Sequence, residues 1–185
     1  KDVNVASDEF YDYAYKIHQQ ILVNEYTPNT SRYGTPGLVT LMNEIGRFPT
    51  KNFQRGDFEH ANEISAEVIE RDFLVRRTGC FACPIGCGRA AEVRKGPYKG
   101  TYTEGVEYET INALGARAWN RDMASILKGD LLCDSYGLDT ISTGGGIAFA
   151  IECFENGIIT KKDTGGLELK WGDPEVVLQL IEKIA

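Results

Sequence analysis

Cys80, Cys83 and Cys87 place three of the chain's five cysteines within the run Cys80-Phe81-Ala82-Cys83-Pro84-Ile85-Gly86-Cys87. Three thiolates so close together repel one another unless something positive sits between them. A metal ion or an iron–sulfur cluster is the natural occupant. Three is one too few, because structural zinc and a four-iron cluster both usually take four protein ligands. His60 lies 20 residues upstream of Cys80 and His18 further still, and neither has neighbours that suggest metal binding. Composition leaves three readings open: zinc, a cluster whose fourth ligand comes from elsewhere, and three ligand-free thiols.

The spacing of two residues and then three reverses the order used by radical S-adenosylmethionine enzymes, and a ferredoxin-like run would need a fourth Cys just downstream, where none occurs before Cys133. Cys133 beside Asp134 is a weak candidate for that ligand. Cys153, with Phe149 and Ile151 nearby, reads as a core residue.

A second group with chemical potential is Cys133-Asp134-Ser135-Tyr136-Gly137-Leu138-Asp139-Thr140-Ile141-Ser142-Thr143-Gly144. One helix ends here, Gly137 turns the chain, and another helix begins. Asp134 and Asp139 then leave one tight corner beside the free N–H groups of a helix start. Such N–H groups favour an anion such as phosphate, and carboxylates favour the N–H donors of a heterocycle. A phosphorylated pterin offers both, while simple helix capping by Asp and Ser is the competing account. Gly144-Gly145-Gly146 is a weak phosphate-loop signal without the Lys of a P-loop.

The elements that must position these residues read as mostly α-helical, about six or seven helices with few short strands. Phe10, Tyr13, Ile17 and Ile21 recur at helical spacing between Asp8 and Tyr26. Thr35-Pro36 opens a helix that Gly46 closes. A third helix is expected from about Asp57 to Phe73, then an irregular stretch with the cysteine loop between short extended pieces. Further helices are expected over Val106–Trp119, over Arg121–Tyr136 with Asp122 as cap and Gly137 at its end, and from Ser142 or Thr143 to Asn156. Leu167–Trp171 reads as extended, and Asp173-Pro174 starts a last helix.

A net charge of -7 argues against nucleic acid or an anionic membrane as partner. No run of about 18 apolar residues occurs that could span a membrane. A local basic set (Arg71, Arg76, Arg77, Arg89, Arg94, Lys95, Lys99) brackets the cysteine loop. It reads either as a solvated surface or as compensation for an anionic cluster or an acidic partner. The odd cysteine count with a tight triplet suits a reduced, cytoplasmic setting. The ends, Lys1-Asp2-Val3-Asn4 and a helix still running at Ala185, suggest an excised piece of a longer protein, with apolar cut surfaces that favour self-association into a homo-oligomer.

Taken together, these stretches resemble the aldehyde ferredoxin oxidoreductase family of tungsten–pterin enzymes. The cysteine run matches that family's cluster loop. Glu107-Tyr108-Glu109-Thr110 matches its acidic segment, and Cys133–Gly144 its first pterin motif. Tyr33-Gly34-Thr35-Pro36-Gly37 and Phe48-Pro49-Thr50-Lys51-Asn52-Phe53 also read as family segments.

The resemblance implies that residues 1–185 are the middle, helical domain, between a β-rich N-terminal pterin domain and a C-terminal helical domain. It implies a tungsten (or molybdenum) centre held by two pterins, a [4Fe–4S] cluster and ferredoxin as electron acceptor. Cys80, Cys83 and Cys87 would be cluster ligands, with the fourth supplied by the absent C-terminal domain. Asp134, Leu138 and Asp139 would contact a pterin. Glu107 or Glu109 would be the acidic residue near the metal, and two residues apart on a helix they face different ways. The parent would oxidise aldehydes, and this chain alone would be inactive. The alternatives are a non-catalytic iron–sulfur or zinc module, or a family member acting on another substrate such as an aromatic acyl thioester.

Overall fold

The described residues divide into eight α-helices and three short strands, a mostly α architecture as the sequence implied. The computed structural model describes residues 7–185. Helices α5 (Tyr108–Leu114), α6 (Met123–Tyr136), α7 (Thr140–Glu155) and α8 (Pro174–Ile184) form the heart of the molecule. Ile111, Leu114, Ile126, Leu127, Ile147, Ile151 and Ile181 from these helices are fully buried. Burial of such side chains, at about 1.5–3 kcal/mol each, is the main force holding the helices together. Helix α5 packs against α7, and α6 against α8.

Two glycines allow these close approaches. A Cβ on Gly144 of α7 would lie 2.6 Å from the carbonyl carbon and oxygen of Ala113 in α5. A Cβ on Gly129 of α6 would lie 3.0 Å from Leu114. The Gly144–Gly146 run is therefore helical, with its first residue fitted against a neighbouring backbone rather than cradling phosphate.

Around this heart lie α1 (Asp8–Leu22), α2 (Thr27–Tyr33), α3 (Leu38–Glu44) and the single turn α4 (Ala66–Val68). The expected helix 57–73 breaks into a 3-10 turn (Ala61–Glu63), α4 and a π turn (Ile69–Phe73). Ser65 is extended, and the Phe58 N–H is drawn to the Asn43 side chain at 2.6 Å. Phe58, Ala61, Ile64, Val68 and Ile69 are still buried, so helical spacing of apolar residues was satisfied here by successive turns.

The expected helix 106–119 is likewise shortened. Asn120 donates to the Leu114 carbonyl at 3.2 Å and its N–H bonds the Gly115 carbonyl at 2.9 Å, ending α5. A 3-10 turn over Ala116–Ala118 follows, and Trp119 is left-handed. Thr35 does not cap a helix: it opens a 3-10 turn that leads into α3. Asp122 caps α6 as expected, accepting from Ala124 N–H at 3.0 Å, and Gly137 ends it with φ of 70°. Leu167–Lys170 is unpaired rather than a strand.

Strands β1 (Leu74–Thr78), β2 (Gly88–Glu92) and β3 (Tyr102–Glu104) make one antiparallel sheet in that order. Thr78 pairs with Gly88, so the cysteine loop is the connection of the β1–β2 hairpin. Ala91 pairs with Thr103, which carries the chain from the cysteine loop toward Glu107. Among the described residues no helix is long and apolar enough to cross a membrane.

Candidate functional site

The hairpin loop is closed at its neck by small residues. A Cβ on Gly79 would lie 3.0 Å from Gly86 Cα, so the two sides meet backbone to backbone. Cys83 N–H donates to the Cys80 carbonyl at 3.1 Å, forming a tight turn, and Ala82 (φ 57°) and Gly86 (φ 61°) are left-handed. Cys80 and Cys83 are exposed thiols, and Cys87 is half-buried at the foot of β2. No three His, Cys, Asp or Glu side chains among the described residues converge on one metal position. The three sulfurs thus stand on one loop without closing on a common point. By chemistry this donor set, three soft thiols with no disulfide, fits an iron–sulfur centre completed by a ligand from elsewhere.

Cys133 and Cys153 are separate from this loop. Both are buried, and burial pushes the Cys133 thiol up to about 11, which keeps it protonated and inert. Helix α1 has no buried residue, and Phe10, Tyr13, Ile17 and Ile21 line a cleft of about 550 Å³ with Ala82 and Pro84 of the loop.

The basic set around the loop is largely matched by local acids. Arg71 pairs with Asp72 at 2.6 Å, Arg76 with Glu104 at 2.9 Å and Arg77 with Glu70 at 3.4 Å. Arg94 donates to the carbonyls of Asp72 and Leu74. Arg89 departs from the solvated reading: it is only 3% exposed, and neither Nη atom has a hydrogen-bond partner.

Glu107 is the extended residue before α5 rather than part of it, so the helical spacing expected between Glu107 and Glu109 does not apply. The Thr35 hydroxyl donates to the Glu107 carboxylate and accepts the Tyr108 N–H at 2.9 Å. Glu107 is thereby tied to the Gly34-Thr35 segment. Glu109 is exposed and lies 3.8 Å from Arg117, whose Nε donates to Asn112 at 2.8 Å.

At the α6–α7 corner, Asp134 is exposed at the end of α6. Asp139 caps α7, accepting the Ser142 N–H at 2.7 Å, so the capping account holds for this carboxylate and its second oxygen is uncommitted to that bond. The Ser142 side chain, and after it the Ser142 N–H, hold its carboxyl below the usual range. Leu138 packs against the core with its N–H on the Cys133 carbonyl at 2.8 Å.

Asp130, one turn before Asp134, is 3% exposed and accepts the Thr103 hydroxyl at 2.5 Å. Burial pushes its carboxyl up to about 6, and the charges of Asp134 and Glu107 push the same way. Glu107, Asp130 and Asp134 therefore share one electrostatic neighbourhood between β3, α5 and α6. Sequence reasoning missed Asp130, Arg89 and the Thr35 contact. Asp130 did carry a signal, because it sits on the buried stripe of Ile126, Leu127 and Cys133.

Residues 12–185 match the family model described as "Aldehyde ferredoxin oxidoreductase, domains 2 & 3". The chain is 50% identical over 155 residues to a tungsten-containing aldehyde ferredoxin oxidoreductase of Thermococcus kodakarensis, covering 83% of this chain and 25% of that protein. It is 48% identical over 155 residues to the protein of the same name from Pyrococcus furiosus, with the same coverage. An aliphatic sulfonate oxidoreductase, WOR-like subunit, of Pyrococcus furiosus is 33% identical over 137 residues, 74% of this chain and 22% of that one. The active site complex BamBC of benzoyl coenzyme A reductase shares the fold, with a TM-score of 0.63 at 21% identity over 94% of this chain and 28% of that one. The chain spans about a quarter of the length of the curated relatives it matches. By its match over nearly all its residues, this chain belongs to the aldehyde ferredoxin oxidoreductase family.

Proposed function

We propose that the protein of which this chain is part is a cytoplasmic tungsten–pterin oxidoreductase that oxidises aldehydes to carboxylic acids and passes the electrons to ferredoxin. The observation that carries this reading is the physical continuity of the three groups of residues. The cysteine loop runs directly into β2, the Arg89 carbonyl accepts the Gly105 N–H at 3.2 Å, and Glu107 follows two residues later. Glu107 in turn bears on Asp130 together with Asp134 of the pterin-type motif.

In this reading Cys80, Cys83 and Cys87 hold a [4Fe–4S] cluster, with a fourth ligand from the remainder of the protein. Asp134 and Asp139 accept from N–H groups of a pterin, and Leu138 fixes the turn between them through its backbone and its core contact. When bound, the tungsten–pterin centre supplies the acceptor for an electron pair and the cluster releases those electrons singly.

Oxidation of an aldehyde to an acid takes its oxygen from water and releases two electrons and two protons. Glu107 is the better placed of the two acidic candidates to accept a proton from the attacking water, because Thr35 fixes its carboxylate. Glu109 is exposed, beside the Arg117 guanidinium. The aldehyde class follows the relatives of higher identity.

Metal analysis of the full-length parent, purified without oxygen, tests the reading. About four irons and one tungsten or molybdenum per chain are expected. One equivalent of zinc with no iron overturns it in favour of a structural metal-binding module.

A further inference from the structure

Arg89 and Asp130 are the two charged side chains buried among the described residues, and their circumstances differ. Asp130 has the Thr103 hydroxyl as donor. Arg89 has no partner at either Nη. A carboxyl can shed its charge by taking a proton, but a guanidinium keeps its charge at any working pH. An isolated charge in a packed interior is costly, so its retention asks for a compensating charge close by.

The surroundings of Arg89 say where that compensation comes from. Its side chain lies under Gly34, where a Cβ would sit 2.6 Å from Nη2 and 2.7 Å from Cζ. The next residue, Thr35, holds the Glu107 carboxylate. The Arg89 backbone carbonyl accepts the Gly105 N–H at 3.2 Å, two residues before Glu107. In the other direction β2 begins at Gly88, immediately after Cys87. Burial is what acts most strongly on the guanidinium and lowers its pKa, and the Glu107 carboxylate is the first of the charges that oppose that shift.

The geometry points to Arg89 as a positioning residue whose buried positive charge is shared between the cysteine loop and Glu107, holding both in one electrostatic unit. The inference rests on the proposed cluster and catalytic carboxylate, and it adds a coupling between them that runs through this chain's own side chain. With an anionic iron–sulfur centre on Cys87, Arg89 stabilises the reduced, more negative state and makes the centre easier to reduce. On its other side it keeps the Glu107–Thr35 pair in place.

The experiment uses the full-length parent, purified without oxygen, as wild type, Arg89→Met and Arg89→Lys. Readouts are iron per chain, the midpoint potential of the iron–sulfur centre by spectroscopically monitored titration, and kcat against KM for an aldehyde. Arg89→Met should retain its iron, shift the midpoint potential negative and lower kcat about tenfold with little change in KM. Arg89→Lys, which keeps the charge, should restore the potential.

An unchanged potential in folded, iron-loaded Arg89→Met overturns the inference, even if kcat falls. Should Arg89→Met fail to fold, Gly34→Ala displaces the guanidinium without removing it. A negative shift of the midpoint potential relative to wild type then supports the inference, and no shift overturns it. A wild-type parent without iron would refute the underlying functional reading before any substitution is compared.

Discussion

The β1–β2 hairpin loop and the corner where α5, α6 and α7 meet carry the two main groups of candidate residues, and they are built in opposite ways. Along α6 and at the helix starts beside it, polar groups are answered from within the chain: Asp139 by Ser142 N–H, Asp122 by Ala124 N–H, Asp130 by Thr103 and Asn120 by Ser125. These contacts sit on helices that bury Ile126, Leu127, Ile147 and Ile151 in the core. On the loop, two of three thiols are exposed, Phe81 is wholly open to solvent, and the sulfurs do not converge. A scaffold can preorganise a carboxylate with N–H groups and hydroxyls alone. Thiols that serve a metal centre need the metal itself, because binding and local ordering are one event. The corner is thus set by folding, and in the proposed reading the loop is set by what it binds.

The largest separation between the two regions should appear in thiol chemistry. In the isolated chain, Cys80, Cys83 and Cys87 should alkylate readily, while buried Cys133 and Cys153 wait for opening of the core. Mass spectrometry with iodoacetamide should show at least about a thousandfold difference in rate between the groups. Cys133 reacting as fast as Cys80 would erase the distinction.

Stability is the next test. Leu114→Ala, at a fully buried position of α5, should cost about 2–5 kcal/mol by urea denaturation. Cys80→Ser and Cys83→Ser should each lie within about 0.5 kcal/mol of wild type in the metal-free chain. A loop substitution as costly as the core one would mean the loop is part of the folded scaffold.

A smaller and pH-dependent effect belongs to Asp130. Its carboxyl is raised to about 6 from an unfolded value near 3.8, so the folded state binds the proton more tightly. Its contribution to stability is therefore fully present below about pH 4 and is lost as pH rises through about 6. Burial, the carboxylates of Asp134 and Glu107, and the Thr103 hydroxyl are the groups that set this value. Asp130→Asn should stabilise the chain at pH 7 by on the order of 2–3 kcal/mol and flatten the fall in stability between pH 4 and 6. Equal urea midpoints for both proteins at pH 7 would place Asp130 in a wetter setting than the structure gives it.

The same division explains what could be read from the residues in order. Asp122 and Gly137 act on their own helix ends, within a few positions, and both were legible. The cysteine triplet was legible because its spacing is itself the signal. Arg89 looked like one more surface base in a basic stretch, and only the packing of Gly34 above it, 55 positions away in sequence, shows that it is buried. Thr35 read as a helix cap because Thr-Pro commonly is one, yet its hydroxyl is drawn to Glu107 and Tyr108 across the fold. The helix expected over 106–119 failed for a related reason. The Asn120 side chain, just past its end, takes the Leu114 carbonyl that a continuing helix would have used. Local rules predict local bonds, and these were long-range or competing ones.

The central claim is that Cys80, Cys83 and Cys87 hold an iron–sulfur cluster in the full-length parent. It is tested most directly by replacing each in turn with Ser in that protein and comparing iron content and the electron paramagnetic resonance of the dithionite-reduced samples. The account predicts that each of the three variants folds but loses most of its iron and the cluster signal, whereas Cys153→Ser keeps both. Wild-type iron and an unchanged signal in the Cys80, Cys83 and Cys87 variants would contradict it.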